Sequence, residues 1–243
     1  LEQKGFKDGL HWHFPFLAAL VDKDGKDITT RMTHITDPTA ELVFEDVDEP
    51  AFLSLNRGYK VFGKIFYDVT PEQLYLQFEK DSCPINRHLA FAKLAEMEKM
   101  KLLQNPDEEV SEKFIDTYFA TINDEKLMAE VGISILANFE KVEDPQYAHA
   151  YQALYDTNKK IRKTLAAKYE EQLYELYEKY SNLTFEGTYT EIQSKAIKAR
   201  QVKNSILKIL SEIDNEKVQK LIRQQFDAAI CATDKVSAFS FYI

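Results

Sequence analysis

Five histidines and two cysteines are the side chains here best suited to move protons, bind metal or attack a substrate. His11, His13, His34, His88 and His149 are followed by Trp, Phe, Ile, Leu and Ala. None therefore opens an HExxH, which would set two zinc ligands and a glutamate base on one helix face. His11 and His13 stand two apart, which on a strand puts both on one face, where a third ligand would complete a metal site. The simpler reading is two solvent-facing strand residues. Cys83 precedes His88 by five positions, but no G-x-C or partner-Asn context supports a nucleophile and its base. The seven glycines are too few and too scattered for a phosphate loop. Asp107-Glu108-Glu109 reads as a helix N-terminus favoured by the macrodipole. Tyr169, Tyr174, Tyr177 and Tyr180 read as core and interface packing. Taken singly, the residues offer no catalytic group and no metal site.

The elements that would have to position such groups change character near residue 70. Before it the apolar period is two, with Trp12, Phe14, Phe16, Ala18 and Leu20 on one face of a strand. Asp24-Gly25 marks a hairpin turn, and Ile28, Thr30 and Met32 lie on the returning strand. Ala40, Leu42 and Phe44 begin another strand, and Val61 to Val69 reads as a last one, rich in aromatic and β-branched residues. Pro15 predicts an edge or a bulge.

After residue 70 the period is 3.6. Thr70-Pro71-Glu72-Gln73 is a capping box with proline at the first helical position. Leu74 and Phe78 continue its inward stripe. Pro84 opens a second helix with Ile85, Leu89 and Ala92 inward, stopped at Asn105-Pro106. Helices follow around Phe114 and around Leu127, Val131, Ile135 and Leu136. Residues 146–180 form one long helix or two abutting ones. A second capping box at Thr190-Glu191-Ile192-Gln193 starts a helix through Leu210, and further helices cover Val218 to Ile230 and begin at Thr233-Asp234. The irregular spacing does not support a repeat of 34 or 40 residues.

The predicted fold is α+β: a small Ig-like β-sandwich over 1–69, then an all-helical array over 70–243 that is incomplete. With 243 residues, 44% apolar and 29% charged, the chain is sized and composed for a globular core. No apolar run approaches 18 residues, so no membrane partner is expected. A net charge of −9 argues against nucleic acid. Two cysteines, too few for a disulfide framework, and no leader at Leu1 point to the cytoplasm.

Five segments, in order, resemble the C-terminal region of the aminopeptidase N (alanyl aminopeptidase) family of zinc metallopeptidases, in its bacterial and apicomplexan branch. Leu10-His11-Trp12-His13-Phe14-Pro15-Phe16 through Lys26 is similar to the family's first strand and turn. Ser54-Leu55-Asn56-Arg57-Gly58-Tyr59 is similar to SLNRGF, and Lys80-Asp81-Ser82-Cys83-Pro84-Ile85-Asn86-Arg87 to HDSDPFNRW. Ala199-Arg200 through Asn204, Leu207 and Leu210 resembles RRxLKNxxLxYL. Gln225-Phe226, Ala229, Thr233-Asp234-Lys235 and Ala238 resemble QFxxAxNMTDxxAAL. Cys83, His88, Val61-Phe62-Gly63 and Cys231-Ala232 depart from those patterns.

The resemblance implies a non-catalytic fragment of an enzyme that removes N-terminal residues from peptides. Its helical part would cap the active site and restrict access to it. Its zinc, general base and amino-terminus-recognising segment would lie in a catalytic domain upstream, the fragment's partner within one polypeptide. Peptide substrates would be met only through that parent. The expectation for this chain is thus no catalytic residue, no metal ligand and no cofactor. Ser54, Arg57, Asp81, Asn86 and Arg87 are the motif polar residues, read as structural hydrogen-bonders where the strands meet the helices. The alternative is a standalone helical module that binds a protein partner.

Overall fold

The computed structural model describes residues 1–4, 10–130, 132, 147 and 149–242. Two compact units divide the chain, Leu1–Leu94 and Ala95–Ile243. The order is α+β as expected, a small antiparallel sheet and then helices.

In the first unit β1 (Phe14–Val21), β2 (Asp27–Ile35) and β3 (Phe52–Leu55) form one sheet in the order β2-β1-β3. The hairpin turn is made by Asp22, whose Oδ1 accepts from the backbone N–H groups of Asp24 and Lys26, both at 2.9 Å. Gly25 follows at φ +84°, and a Cβ there would sit 2.8 Å from the Lys80 carbonyl oxygen. Only glycine suits both the left-handed backbone and that close approach. Pro15 pairs with His34, on a stretch of β1 that β3 does not reach, since β3 pairs only with Ala18 to Val21. The missing N–H therefore faces no partner strand, as the edge reading required.

Two expected strands are absent among the described residues. Residues 40–44 and 61–69 are irregular, and the third strand instead comes from Phe52–Leu55. Their apolar residues still do a strand's packing. Leu42, Phe44, Val61 and Ile65 cover the sheet face of Phe16, Ala18 and Ile35, so irregular chain supplies the second layer there. On the opposite face Ala19, Val21 and Phe52 pack with Leu76 of α1 (Pro71–Lys80). β1 is consequently buried on both sides from Ala18 onward.

The capping box forms as read: Thr70 Oγ1 accepts from the Gln73 N–H at 3.3 Å and Gln73 Oε1 from the Thr70 N–H at 3.0 Å. Because α1 packs on β3, and Gln77 donates to the Leu53 carbonyl at 3.1 Å, the first compact unit runs past the expected boundary at residue 70. α2 (Pro84–Gln104) crosses into the second unit. Its buried stripe is Ala90, Phe91, Leu94, Ala95 and Leu102, whereas Leu89, expected inward, is exposed.

The second unit adds, among the described residues, α3 (Glu112–Asn123), α4 (Glu125–Glu130), α5 (Tyr151–Lys168), α6 (Glu170–Ser181), α7 (Tyr189–Leu210), α8 (Glu216–Ala228) and α9 (Ala232–Ser240). The single or double helix expected over 146–180 is, among the described residues, two abutting helices, α5 and α6, which meet at Tyr169. That ring stacks on Phe119 at 4.0 Å between centroids, and its hydroxyl donates to Asp116 at 2.7 Å. The second capping box is Thr188 with Glu191, two residues earlier than expected, because Thr188 is the last extended residue. Val131, Ile135 and Leu136 lie outside the described residues. Among the described residues helices pack mostly on the next and next-but-one neighbour, α3 on α5, α5 on α7, α6 on α7, α7 on α9 and α8 on α9, while α4 reaches α7. This is the pattern of an array in which each element covers the one before.

Candidate functional site

The motif residues of the first unit meet in one place. β3 ends at Leu55, and the turn through Asn56 (φ 52°) and Gly58 (φ 69°) brings Arg57 back over the strand. Arg57 Nε donates to Ser54 Oγ at 2.8 Å, and its two terminal nitrogens grip both oxygens of Asp27 at 2.6 and 2.7 Å. The Asp27 bond, ahead of all other influences, raises the Arg57 pKa. From the start of α2, Asn86 Nδ2 donates to Ser54 Oγ at 2.9 Å and to the Leu55 carbonyl at 3.0 Å. Asp81, after α1, accepts from the Cys83 N–H at 2.8 Å and from Gln77 Nε2 at 3.1 Å, with Arg57 3.9 Å away. Arg87 Nε donates to the Phe78 carbonyl at 2.7 Å and its guanidinium lies over the Phe78 ring. Ser54, Asp81 and Asn86 are buried, and the bonds of Ser54 with Asn86 and Arg57, and of Asp81 with Gln77 and the Cys83 N–H, are the condition of that burial. Their hydrogen-bonding capacity is spent on the fold.

A second buried polar chain lies within the second unit, and the sequence reading did not single it out. The Tyr177 hydroxyl donates to Gln225 Oε1 at 2.7 Å. Gln225 Nε2 donates to Asn204 Oδ1 at 2.9 Å and to the Asp234 carbonyl at 3.0 Å. Asn204 Nδ2 donates to Asp234 Oδ1 at 3.0 Å, and Lys203 Nζ reaches Asp234 Oδ2 at 2.7 Å. Burial foremost, with the Asp234 charge adding to it, pushes the Tyr177 hydroxyl up to about 12, so it stays a donor at neutral pH. Four helices, α6 to α9, are joined by it. The signal was present in the sequence, because Lys203-Asn204, Gln225 and Asp234 are the polar letters of two separate motifs.

Cys83 and His88 do not form a nucleophile and base. Cys83 is buried ahead of α2, and His88 Nδ1 is buried with no hydrogen-bond partner. Burial holds the His88 imidazole below its ordinary value of about 6.5. The folded chain therefore refuses a proton that the unfolded chain takes up, and stability should fall as pH drops from about 6.5 through the lowered value. Urea midpoints taken between pH 7 and 5 should fall less in His88→Gln than in the parent chain. Parallel curves would remove His88 as the cause.

His11 and His13 are brought together, with Nε2 atoms 3.3 Å apart. Among the described residues no three His, Cys, Asp or Glu side chains are placed to hold a metal ion. Two concave surfaces, of about 460 Å³ beside Arg31 and Phe44 and about 310 Å³ beside Phe119 and Gln172, are lined by neither histidine nor cysteine.

The fold matches part of the crystal structure of Legionella pneumophila aminopeptidase A in complex with aspartic acid. The TM-score is 0.73 at 21% identity, over 94% of this chain and 28% of that one. This chain thus spans little more than a quarter of that protein's length. Residues 71–243 match the family described as "Domain of unknown function (DUF3458_C) ARM repeats". ARM repeats are a stack of helices, which agrees with the neighbour-on-neighbour packing and corrects the expectation drawn from irregular sequence spacing. That match covers most of the chain, and the chain belongs to the DUF3458_C ARM-repeat family.

Proposed function

We propose that this chain is a non-catalytic, C-terminal portion of a zinc aminopeptidase. Its helical array would cap the active site of a catalytic domain elsewhere in the same polypeptide and admit only peptides small enough to enter. The observation that carries the reading is the fold likeness to a quarter of an aminopeptidase, joined to the DUF3458_C match. The saturated polar networks fit a supporting role, since a group already spent on its neighbours is not poised to act on substrate. In the parent, zinc would activate water and polarise the scissile carbonyl, from ligands this chain does not supply.

Two free cysteines suit a cytoplasmic setting. Among the described residues no helix is long and apolar enough to cross a membrane, and the acidic balance does not favour nucleic acid.

Alone, with added zinc, the chain should hydrolyse no alanyl or leucyl chromogenic amide. The gene product that carries it should do so and should lose activity to a chelator. Chelator-sensitive turnover by the isolated chain would overturn the proposal. A reading frame without HExxH would favour a standalone binding module.

A further inference from the structure

We propose that His11 and His13, with the carbonyl oxygen of Thr36, form a binding site for a divalent transition-metal ion of the Zn²⁺ and Cu²⁺ class. The two Nε2 atoms are 3.3 Å apart, and His11 Nε2 is 2.8 Å from the Thr36 oxygen. Two imidazole nitrogens bound at about 2.0–2.1 Å to one tetrahedral ion stand about 3.3–3.4 Å from each other. The nitrogens already have that separation. As a bond between rings the contact is poor, since the one Nε2–H of His11 would be shared between the carbonyl and His13.

Placement of the pair is fixed by Gln3. Its Oε1 accepts from the Trp12 N–H at 2.9 Å, and its Nε2 donates to the carbonyls of Trp12 and Asp37 at 2.8 and 3.1 Å. Its own N–H donates to the Pro38 carbonyl at 2.9 Å. One amide thus clamps the residue between the two histidines to the segment that carries Thr36, and a site held this way loses little entropy when an ion arrives.

Imidazole nitrogen selects copper, nickel and zinc over magnesium and calcium. Binding would move the His11 proton to Nδ1 and open the 2.8 Å contact between Nε2 and the Thr36 carbonyl, so that the Nε2 lone pair and the carbonyl oxygen could each face the ion, with water in the remaining position. No third His, Cys, Asp or Glu joins the pair among the described residues. This inference stands apart from the peptidase proposal, and neither depends on the other.

Trp12, the single tryptophan, lies between the two ligands and reports on them directly. Titrating the full chain with Cu²⁺ should quench its fluorescence saturably at one ion per chain, and excess Zn²⁺ should restore it. His13→Ala, at an exposed position that the fold does not need, should weaken binding roughly tenfold or more. His11→Ala should do the same, and His149→Ala should change nothing. Quenching without saturation, or one curve shared by the parent chain, His11→Ala and His13→Ala, would overturn the site.

Discussion

Asp234→Ala is expected to cost about 3–5 kcal/mol of stability, the range for removing one partner of a buried ion pair. Asp234 is 7% exposed in the first turn of α9, where the helix N-terminus also favours its charge. Its two carboxylate oxygens take the Lys203 ammonium and the Asn204 amide. Truncation strands a lysine that is 9% exposed and leaves Asn204 one acceptor short. Gln225 keeps its bond to the backbone carbonyl of residue 234, so the damage concentrates on α7. The control is Lys203→Met with Asp234→Leu, which removes both charges and should recover most of the loss. Urea midpoints for Lys203→Met, Asp234→Leu and the double variant form a cycle. If Asp234→Ala costs under about 1 kcal/mol, Lys203 reaches water on its own and the pair does not fasten α7 to α9.

What could be read from the sequence was whatever depends on neighbours in the chain. Thr70 and Gln73 cap α1 because three residues of spacing suffice, and Gly25 turns the hairpin because its backbone freedom is intrinsic. Residues 61–69 misled because aromatic and β-branched residues signal a half-buried surface and not hydrogen bonding. Val61 and Ile65 do bury against the sheet, but from irregular chain. Phe52–Leu55 is too short for its period to show, and it becomes a strand only by pairing with Ala18 to Val21.

The polar clusters divide along the same line. Arg57 entered through a motif, yet Asp27, which takes both its terminal nitrogens, stands 30 residues away in the chain. Lys203 and Asp234 are 31 residues apart, and nothing local to either names the other. Helix stacking was hidden for a similar reason. Array packing needs only an apolar stripe on each helix, so helix length can drift until no period survives.

Phe78→Ala should likewise cost about 3–5 kcal/mol, as for other buried aromatics cut to alanine. Phe78 is 6% exposed on α1, with its ring 6.0 Å from that of Phe91 and beneath the Arg87 guanidinium. Loss of the ring opens a cavity between α1 and the first half of α2 and removes the π-face that Arg87 covers. Arg87 would keep its bond to the Phe78 carbonyl, because a backbone oxygen survives the substitution. The consequence should spread to the strands. α1 packs on β3, Gln77 bridges to Leu53, and Leu76 lies against Ala19 and Val21. Trp12 is 66% exposed and would be a blunt probe of that spread, so amide exchange is the better one. Protection at Ala19 and Val21 in β1 should fall together with protection at Gln77 and Phe78 in α1, by the same free energy, if sheet and helix open as one unit. Should the β1 amides keep their protection while those of α1 lose it, α1 opens by itself, and the sheet is held by its loop cover and not by the helix.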